Sequence, residues 1–407
     1  MARNLAKEGF PVTGYDLYQP LVEKLVAAGG KPAESPAAAA ANAEFLILMV
    51  VNDTQADSAL FDAEKGAVKA LGQGKTIMLC STTPPVFLEK LRKHIDETRP
   101  DLKLLDCPVS GGSIRAANGT LSIFSSGPDA DLDHAAVVLD AMASPLYRIP
   151  GGIGSGQIAK MSHQHQAAVN IIMASEAMGL AAVAGLNTKT VYDAINSSSG
   201  ATWMFENRGP HMLSNDWLTV HSAVSIILKD AIIVTDHARA TGFPLVLENT
   251  AQQLYIAGGH AGFMKEDDAG LVRLYLPEDG HDLVGRLAKE ASPTATTGKG
   301  GISIDTIVDI LTGVNLASAL ECLKFAKHVG MDMELLSDII IRGAGSSAMF
   351  KSAVRPLIKS GSLSLKSVPK AFEIRERLQR AIRKADEMHQ PLPMATVALQ
   401  QLYFEVL

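Results

Sequence analysis

Hydrophobic and polar positions follow two different rhythms along this chain, and the change of rhythm divides it. Up to about residue 150, short apolar runs alternate with amphipathic stretches, the pattern of parallel strands joined by crossover helices. The runs at 11–16, 45–51, 76–80, 103–106, 120–124 and 146–149 predict strands. Residues 19–28 read as a helix closed by Gly29-Gly30, and Pro36 opens an alanine-rich helix that leads into Phe45. The run Gly151-Gly152-Ile153-Gly154-Ser155-Gly156 is a turn-rich hinge. Beyond it, an Ala/Met-rich stretch without proline runs to about residue 187, and the chain reads all-α from there. Helical texture lasts to about Tyr275; the Pro-, Gly- and Thr-rich stretch from Pro277 to Gly301 suits a linker.

After that stretch the sequence repeats itself. At an offset of 145 residues Asn170 meets Asn315, Glu176 meets Glu321, Gly185 meets Gly330, Asp193 meets Asp338, and Met204-Phe205 meets Met349-Phe350. Gln253-Leu254-Tyr255 meets Gln401-Leu402-Tyr403 at an offset of 148. The expected fold is therefore α/β plus all-α. Residues 1–152 are expected to form a βαβ domain of Rossmann type, 153–277 a helical domain, 278–300 a linker, and 301–407 a degenerate copy of the helical domain.

Composition narrows the function. A chain of 407 residues with 47% hydrophobic and 20% charged residues has ample material for buried cores, and its net charge of -6 gives no electrostatic reason to bind nucleic acid. Three scattered cysteines, Cys80, Cys107 and Cys322, argue against a disulfide framework or a cysteine-rich zinc site and point to a reducing compartment. The longest apolar run near the N-terminus, residues 45–51, falls well short of the roughly 20 residues that span a bilayer. A cytoplasmic protein without nucleic-acid or membrane partners is the expectation.

Four pieces could carry chemistry. Val12-Thr13-Gly14-Tyr15-Asp16 reads as a strand ending in a carboxylate, where a dinucleotide fold grips the adenosine ribose; that charge would repel the extra phosphate of NADP and favour NAD. Asp106-Cys107-Pro108-Val109-Ser110-Gly111-Gly112 ends a strand in a turn whose backbone N–H groups and hydroxyl suit a carboxylate, although Ser-Gly-Gly also serves in ordinary turns. Lys160 lies on the long helix just past the hinge, four residues before Gln164, so both share one face. A lysine partly desolvated between domains comes within reach of acid/base work, whereas most lysines are simply solvated. His163 and His165 stand two apart on a helix and face different sides, which argues against a metal site, and none is expected.

Together these pieces resemble the beta-hydroxyacid dehydrogenase family over roughly residues 1–277. The resemblance implies that Ser110, Gly111 and Gly112 hold a substrate carboxylate, followed by Gly119-Thr120-Leu121, and that Lys160 is the acid/base residue. It implies cofactor contacts at Val51 and Asn52 within Met49-Val50-Val51-Asn52-Asp53, at Thr82 of the Ser81-Thr82 turn under the nicotinamide, and at the Lys229-Asp230 pair, with Asp16 on the ribose. Gln164 stands where the family usually has asparagine, which is similar to the threonate-type, four-carbon-acid branch. The family's Gly-x-Gly-x-x-Gly turn is expected before Met1, so the nucleotide domain lacks its first strand and turn. The expected activity is hydride transfer between a small hydroxy acid and NAD(P), NAD being preferred; the alternative is a paralogue that no longer holds the cofactor productively. Residue 305, the counterpart of Lys160, is Asp305, and Gln164 maps onto Asp309, so the repeat reads as scaffold. The helical copies are expected to pair, either within one chain as a pseudo-dimer or between subunits of a homo-oligomer.

Overall fold

The computed structural model describes residues 1–405. The chain divides into two compact units, Met1–Lys160 and Met161–Leu407.

In the first unit the strands are β1 (Thr13–Gly14), β2 (Lys31–Pro32), β3 (Phe45–Leu48), β4 (Thr76–Leu79), β5 (Lys103–Asp106), β6 (Val109–Ser110), β7 (Leu121–Ser125) and β8 (Ala143–Arg148). The helices that alternate with them are α1 (Ala2–Lys7), α2 (Gln19–Val26), α3 (Pro36–Ala40), α4 (Asp53–Phe61), α5 (Ala67–Ala70), α6 (Pro85–Thr98), α7 (Gly112–Ala117) and α8 (Asp129–Asp140). β1 pairs in parallel with β2, and β3, β4 and β5 form a second parallel ladder. β7 joins β8 in parallel and β6 antiparallel, so this last ladder is mixed. All four residues of β4 are buried because helices cover both faces, which is why its sequence, Thr76-Ile77-Met78-Leu79, does not alternate. One core holds Leu60, Leu88, Leu91 and Ile95 against one face of the β3–β5 ladder, and a second holds Leu132, Leu139 and Met142 against the other.

The helix α9 (Ser155–Val183) begins in the first unit and becomes the central helix of the second. After it come α10 (Thr188–Asn196), α11 (Trp203–Ser214), α12 (Val224–Thr241), α13 (Val246–His260) and α14 (Leu283–Glu290). The repeat follows as α15 (Ile304–His328), α16 (Met333–Arg342), α17 (Ala348–Ser360), α18 (Ala371–Glu387) and α19 (Pro393–Phe404). The stretch expected as a linker carries α14, which is docked: Thr188 Oγ1 donates to Val284 O at 2.6 Å and Asn187 Nδ2 to Ala291 O at 2.8 Å. Its proline and glycine residues mark the ends of a helix whose Val284 and Gly285 are buried.

The two helical copies pack as one unit around a pseudo-two-fold relation that the offset of 145 makes visible. Thr202 and Ser347, which occupy equivalent positions, form an antiparallel bridge: Trp203 N–H donates to Ser346 O and Ala348 N–H to Ala201 O, both at 2.9 Å. Each residue also caps its own helix, Thr202 through the Phe205 amide and Ser347 through the Phe350 amide. The copies exchange buried carboxylates as well. Glu176 on α9 accepts the N–H groups of Met394 and Ala395 at the start of α19, both at 3.0 Å. Its counterpart Glu321 on α15 accepts those of Val246, Leu247 and Glu248 at the start of α13, at 2.7 to 3.2 Å. A carboxylate at a helix N-terminus satisfies otherwise orphaned donors and meets the positive end of the dipole.

Burial nevertheless pushes the Glu176 carboxyl up from an ordinary 4.5 to about 7, against the lowering effect of its donors. The folded value lies above the unfolded one, so stability from this group is fully present below about 4.5 and is lost as pH rises through about 7. Thermal midpoints taken across that window should therefore vary less with pH in Glu176→Gln than in the unmodified chain; an unchanged slope would mean the carboxyl does not titrate there.

Candidate active site

Strand β5 ends at Asp106, a carboxyl with no solvent exposure. Its Oδ2 accepts the Gln157 backbone N–H at 3.0 Å and the Ser126 hydroxyl at 3.2 Å, while Oδ1 accepts Gln157 Nε2 at 2.8 Å. Ser126 Oγ in turn accepts the Gly156 N–H at 2.9 Å, so the first-turn amides of α9 are satisfied by β5 and the segment after β7. Burial pushes Asp106 up to about 7, and the Gln157 and Ser126 hydrogen bonds oppose that rise. The approach is close enough that a Cβ on Gly156 would lie 2.3 Å from Phe124 O, so this position requires glycine.

Gln157 also reaches the turn after β4. Its Nε2 donates to Ser81 O at 3.0 Å and its Oε1 accepts the Thr83 N–H at 3.0 Å, which pins the turn on either side of Thr82. Lys160 follows three residues later and is only 5% exposed. One buried side chain thus ties together the strand end at Asp106, the Thr82 turn and the helical turn that leads to Lys160.

The Ser-Gly-Gly segment is shaped by β6, where Ser110 pairs with Ser122 of β7. Gly111 and Gly112 then take φ of 131° and 64°, values that disfavour any side chain, and the chain turns into α7. Ser110 is buried at the base of this turn and Gly112 is exposed at its tip.

The proposed cofactor residues of the first unit lie at the carboxyl ends of parallel strands, where α/β sheets bind ligands. Asp16 is exposed just past β1, with Oδ1 accepting the Tyr18 N–H at 2.8 Å and the other oxygen available. Past β3, Asn52 caps α4 through the Gln55 amide at 2.9 Å, Gln55 Oε1 accepts the Val51 N–H at 3.0 Å, and Ser81 Oγ accepts the Val50 N–H at 2.8 Å. Leu17, Met49 and Val51 expose apolar side chains beside these strand ends, Leu17 to 88%. A polar residue for a ribose, apolar side chains for flat rings and an ordered turn at Thr82 fit the two ends of a nicotinamide dinucleotide.

In the second unit, Gln164 is buried on α9 one turn beyond Lys160. Lys229 and Asp230 are neighbours on α12 and pair at 2.9 Å. The two histidines near Gln164 have separate partners: His165 Nδ1 lies 2.9 Å from Glu248 Oε2, and His163 Nε2 accepts the Gly345 N–H at 3.3 Å. The pattern of residue types singled out neither Gln157 nor Asp106 as an anchor, because glutamine after a glycine-rich turn has no distinctive spacing.

Comparison with known proteins bears on the family and the fold. Residues 1–152 match the family described as the NAD binding domain of 6-phosphogluconate dehydrogenase, and residues 154–275 the one described as NAD-binding of NADP-dependent 3-hydroxyisobutyrate dehydrogenase. The L-threonate dehydrogenase of Cupriavidus necator is 38% identical over 275 residues, which cover 68% of this chain and 91% of that protein. A solved 3-hydroxyisobutyrate dehydrogenase from Salmonella typhimurium is 36% identical with a TM-score of 0.63, covering 67% of this chain and 94% of that one. The Plasmodium falciparum 6-phosphogluconate dehydrogenase, 15% identical, superposes with a TM-score of 0.69 over 100% of this chain and 89% of its own, so the likeness in fold takes in the helical repeat.

Proposed function

The chain belongs to the beta-hydroxyacid dehydrogenase family of NAD(P)-dependent enzymes acting on CH–OH groups, and from that premise we propose that it oxidises a four-carbon sugar acid of the threonate type with Lys160 as general acid/base. The observation that carries the reading is the buried position of Lys160, one turn past the Asp106–Gln157 node that fixes the start of α9. The 38% identity to an L-threonate dehydrogenase and the His163-Gln164 pair support the substrate class.

In this reading the bound dinucleotide supplies the hydride acceptor. Ser110 Oγ and the N–H groups of Gly111 and Gly112 hold the substrate carboxylate, which orients the carbinol. Lys160 in its neutral form takes the hydroxyl proton as the C–H electron pair leaves and the carbonyl forms; in the reverse direction it returns that proton. Gln164 hydrogen-bonds the substrate beside Lys160. Asp16, Val51, Asn52 and Thr82 hold the dinucleotide in the first unit.

NAD is the preferred cofactor in this reading, because the exposed Asp16 carboxylate competes for the ribose hydroxyls and repels a ribose phosphate. Asp16→Ser should raise kcat/KM for NADP relative to NAD by roughly tenfold or more, as removal of one unfavourable charge contact of about 1.4 kcal/mol does. An unchanged ratio would place the ribose elsewhere. The activity is tested by titrating the full chain with NAD in a calorimeter and then assaying L-threonate, 3-hydroxyisobutyrate and L-serine; turnover highest with L-threonate is expected, and silence at millimolar NAD would contradict the proposal.

A further inference from the structure

The repeat grips one short stretch of α9 with a set of buried polar contacts. Cys322 Sγ lies 3.4 Å from Ser162 O, the Gly345 N–H donates to His163 Nε2 at 3.3 Å, and Glu321 lies 3.7 Å from His165 Nε2. Gln166 Nε2 donates to Ser318 O and Oγ at 2.8 and 3.0 Å, and Asn170 Nδ2 to Gly345 O at 3.3 Å. His163, Gln166 and Asn170 follow i, i+3, i+7 spacing and so share one face of the helix. All three are buried.

The pseudo-symmetric counterpart of this contact is mostly apolar, although Asn315 stands where Asn170 does and Ser199 Oγ bonds Thr312 Oγ1 at 2.8 Å. Val308, Ile310 and Leu311 stand where His163, His165 and Gln166 stand in the first copy, and Gly200 stands where Gly345 does. The glycine loops press on both helices alike: a Cβ at Gly345 would meet Gln166 Cβ at 2.9 Å, and one at Gly200 would meet Leu311 Cβ at 2.8 Å. Packing the copies together therefore needs few hydrogen bonds there. Buried polar groups cost folding energy unless bonded, and their bonds are directional where apolar contact is not. On the copy that carries Lys160 and Gln164 the bonds come from His163, Gln166 and Asn170, whereas among the described residues the other side keeps a hydroxyl pair, Ser199 Oγ with Thr312 Oγ1 at 2.8 Å.

We infer that the C-terminal helical copy is a positioning element for the acid/base segment: Gly345, Ser318 and Glu321 fix the rotation and height of the helical turns bearing Lys160 and Gln164, acting through His163, Gln166 and His165. The inference rests on the catalytic reading of Lys160. It gives a copy without catalytic residues of its own a part in setting the geometry of catalysis, and displacements of about 1 Å at such a site can cost roughly 100-fold in rate.

The test uses full-length variants. Gly345→Ala crowds Gln166 and His163; Ser318→Ala removes a hydroxyl acceptor with little risk to folding; His163→Leu removes the acceptor that His163→Gln keeps near the Nε2 position. The pH dependence with which an amine-reactive reagent labels Lys160, read by peptide mass spectrometry, reports the lysine's setting without any turnover. Steady-state kinetics with NAD and L-threonate report kcat and KM. Gly345→Ala and His163→Leu are expected to displace the labelling curve and to lower kcat roughly tenfold or more with KM little changed, Ser318→Ala to do so in smaller measure, and His163→Gln to recover much of both. Labelling curves and kcat that stay put in the folded variants would overturn the inference. Displaced labelling curves together with undiminished turnover in Lys160→Ala would instead overturn the catalytic reading and leave the positioning intact.

Discussion

Lys160→Ala should lower kcat by about 10²–10⁴-fold while leaving the affinity for NAD and for the hydroxy acid largely unchanged, since a positioned proton acceptor contributes about that much and little to ground-state binding. The reasoning is local. The amine is buried, the helix that carries it is anchored at its first turn by Asp106 and Ser126, and the same glutamine that bonds Asp106 also pins the Thr82 turn. Removing the amine deletes the proposed acceptor without touching those anchors, so the fold and the turn at Ser110–Gly112, proposed to hold the substrate carboxylate, should survive. Burst and steady-state rates, with calorimetric binding of NAD and L-threonate, check both halves of the expectation. A raised KM at constant kcat would assign Lys160 to binding instead.

Glu321→Ala should be the most destabilising of the single substitutions considered, by about 3–5 kcal/mol, the range seen when one partner of a buried charged network is removed. The carboxylate is almost fully buried, accepts the amides of Val246, Leu247 and Glu248, and faces His165. Without it three helix-terminal donors lose their acceptor, and Glu248 remains as the partner of His165. Burial raises Glu321 and prevails over the nearby His165 and the three amides, which draw it down. Urea denaturation of the full chain measures the loss as a lower midpoint at constant slope. A change below about 1 kcal/mol, the worth of an exposed ion pair, would show that the cap is dispensable.

Much of this architecture was legible in the chain. Parallel strands covered by helices read as apolar runs, so β3 and β4 stand out as Phe45–Leu48 and Thr76–Leu79, while in β5 the apolar pair Leu104-Leu105 lies between Lys103 and Asp106. The two-residue strands β2, Lys31–Pro32, and β6, Val109–Ser110, carry no such run and were invisible. The repeat announced itself through the matches at an offset of 145, Glu176 with Glu321 among them, yet nothing in the sequence says that each glutamate caps a helix of the other copy. The amides concerned lie 218 residues from Glu176 and 75 from Glu321, and only tertiary packing brings them in. The catalytic candidates were legible as a motif. Their supports were not: Gln157 and His163 act through Asp106, Ser81, Thr83 and Gly345, contacts that depend on chain crossings rather than on local spacing.

The most direct test of the central claim is chemical rescue of Lys160→Ala by small primary amines in the presence of NAD and L-threonate. If Lys160 is the proton acceptor, the variant's rate should climb with the concentration of free-base amine and with its basicity, while the unmodified chain ignores the additive. Hydroxy-acid oxidation by Lys160→Ala at the unmodified rate, with no amine added, would contradict the account.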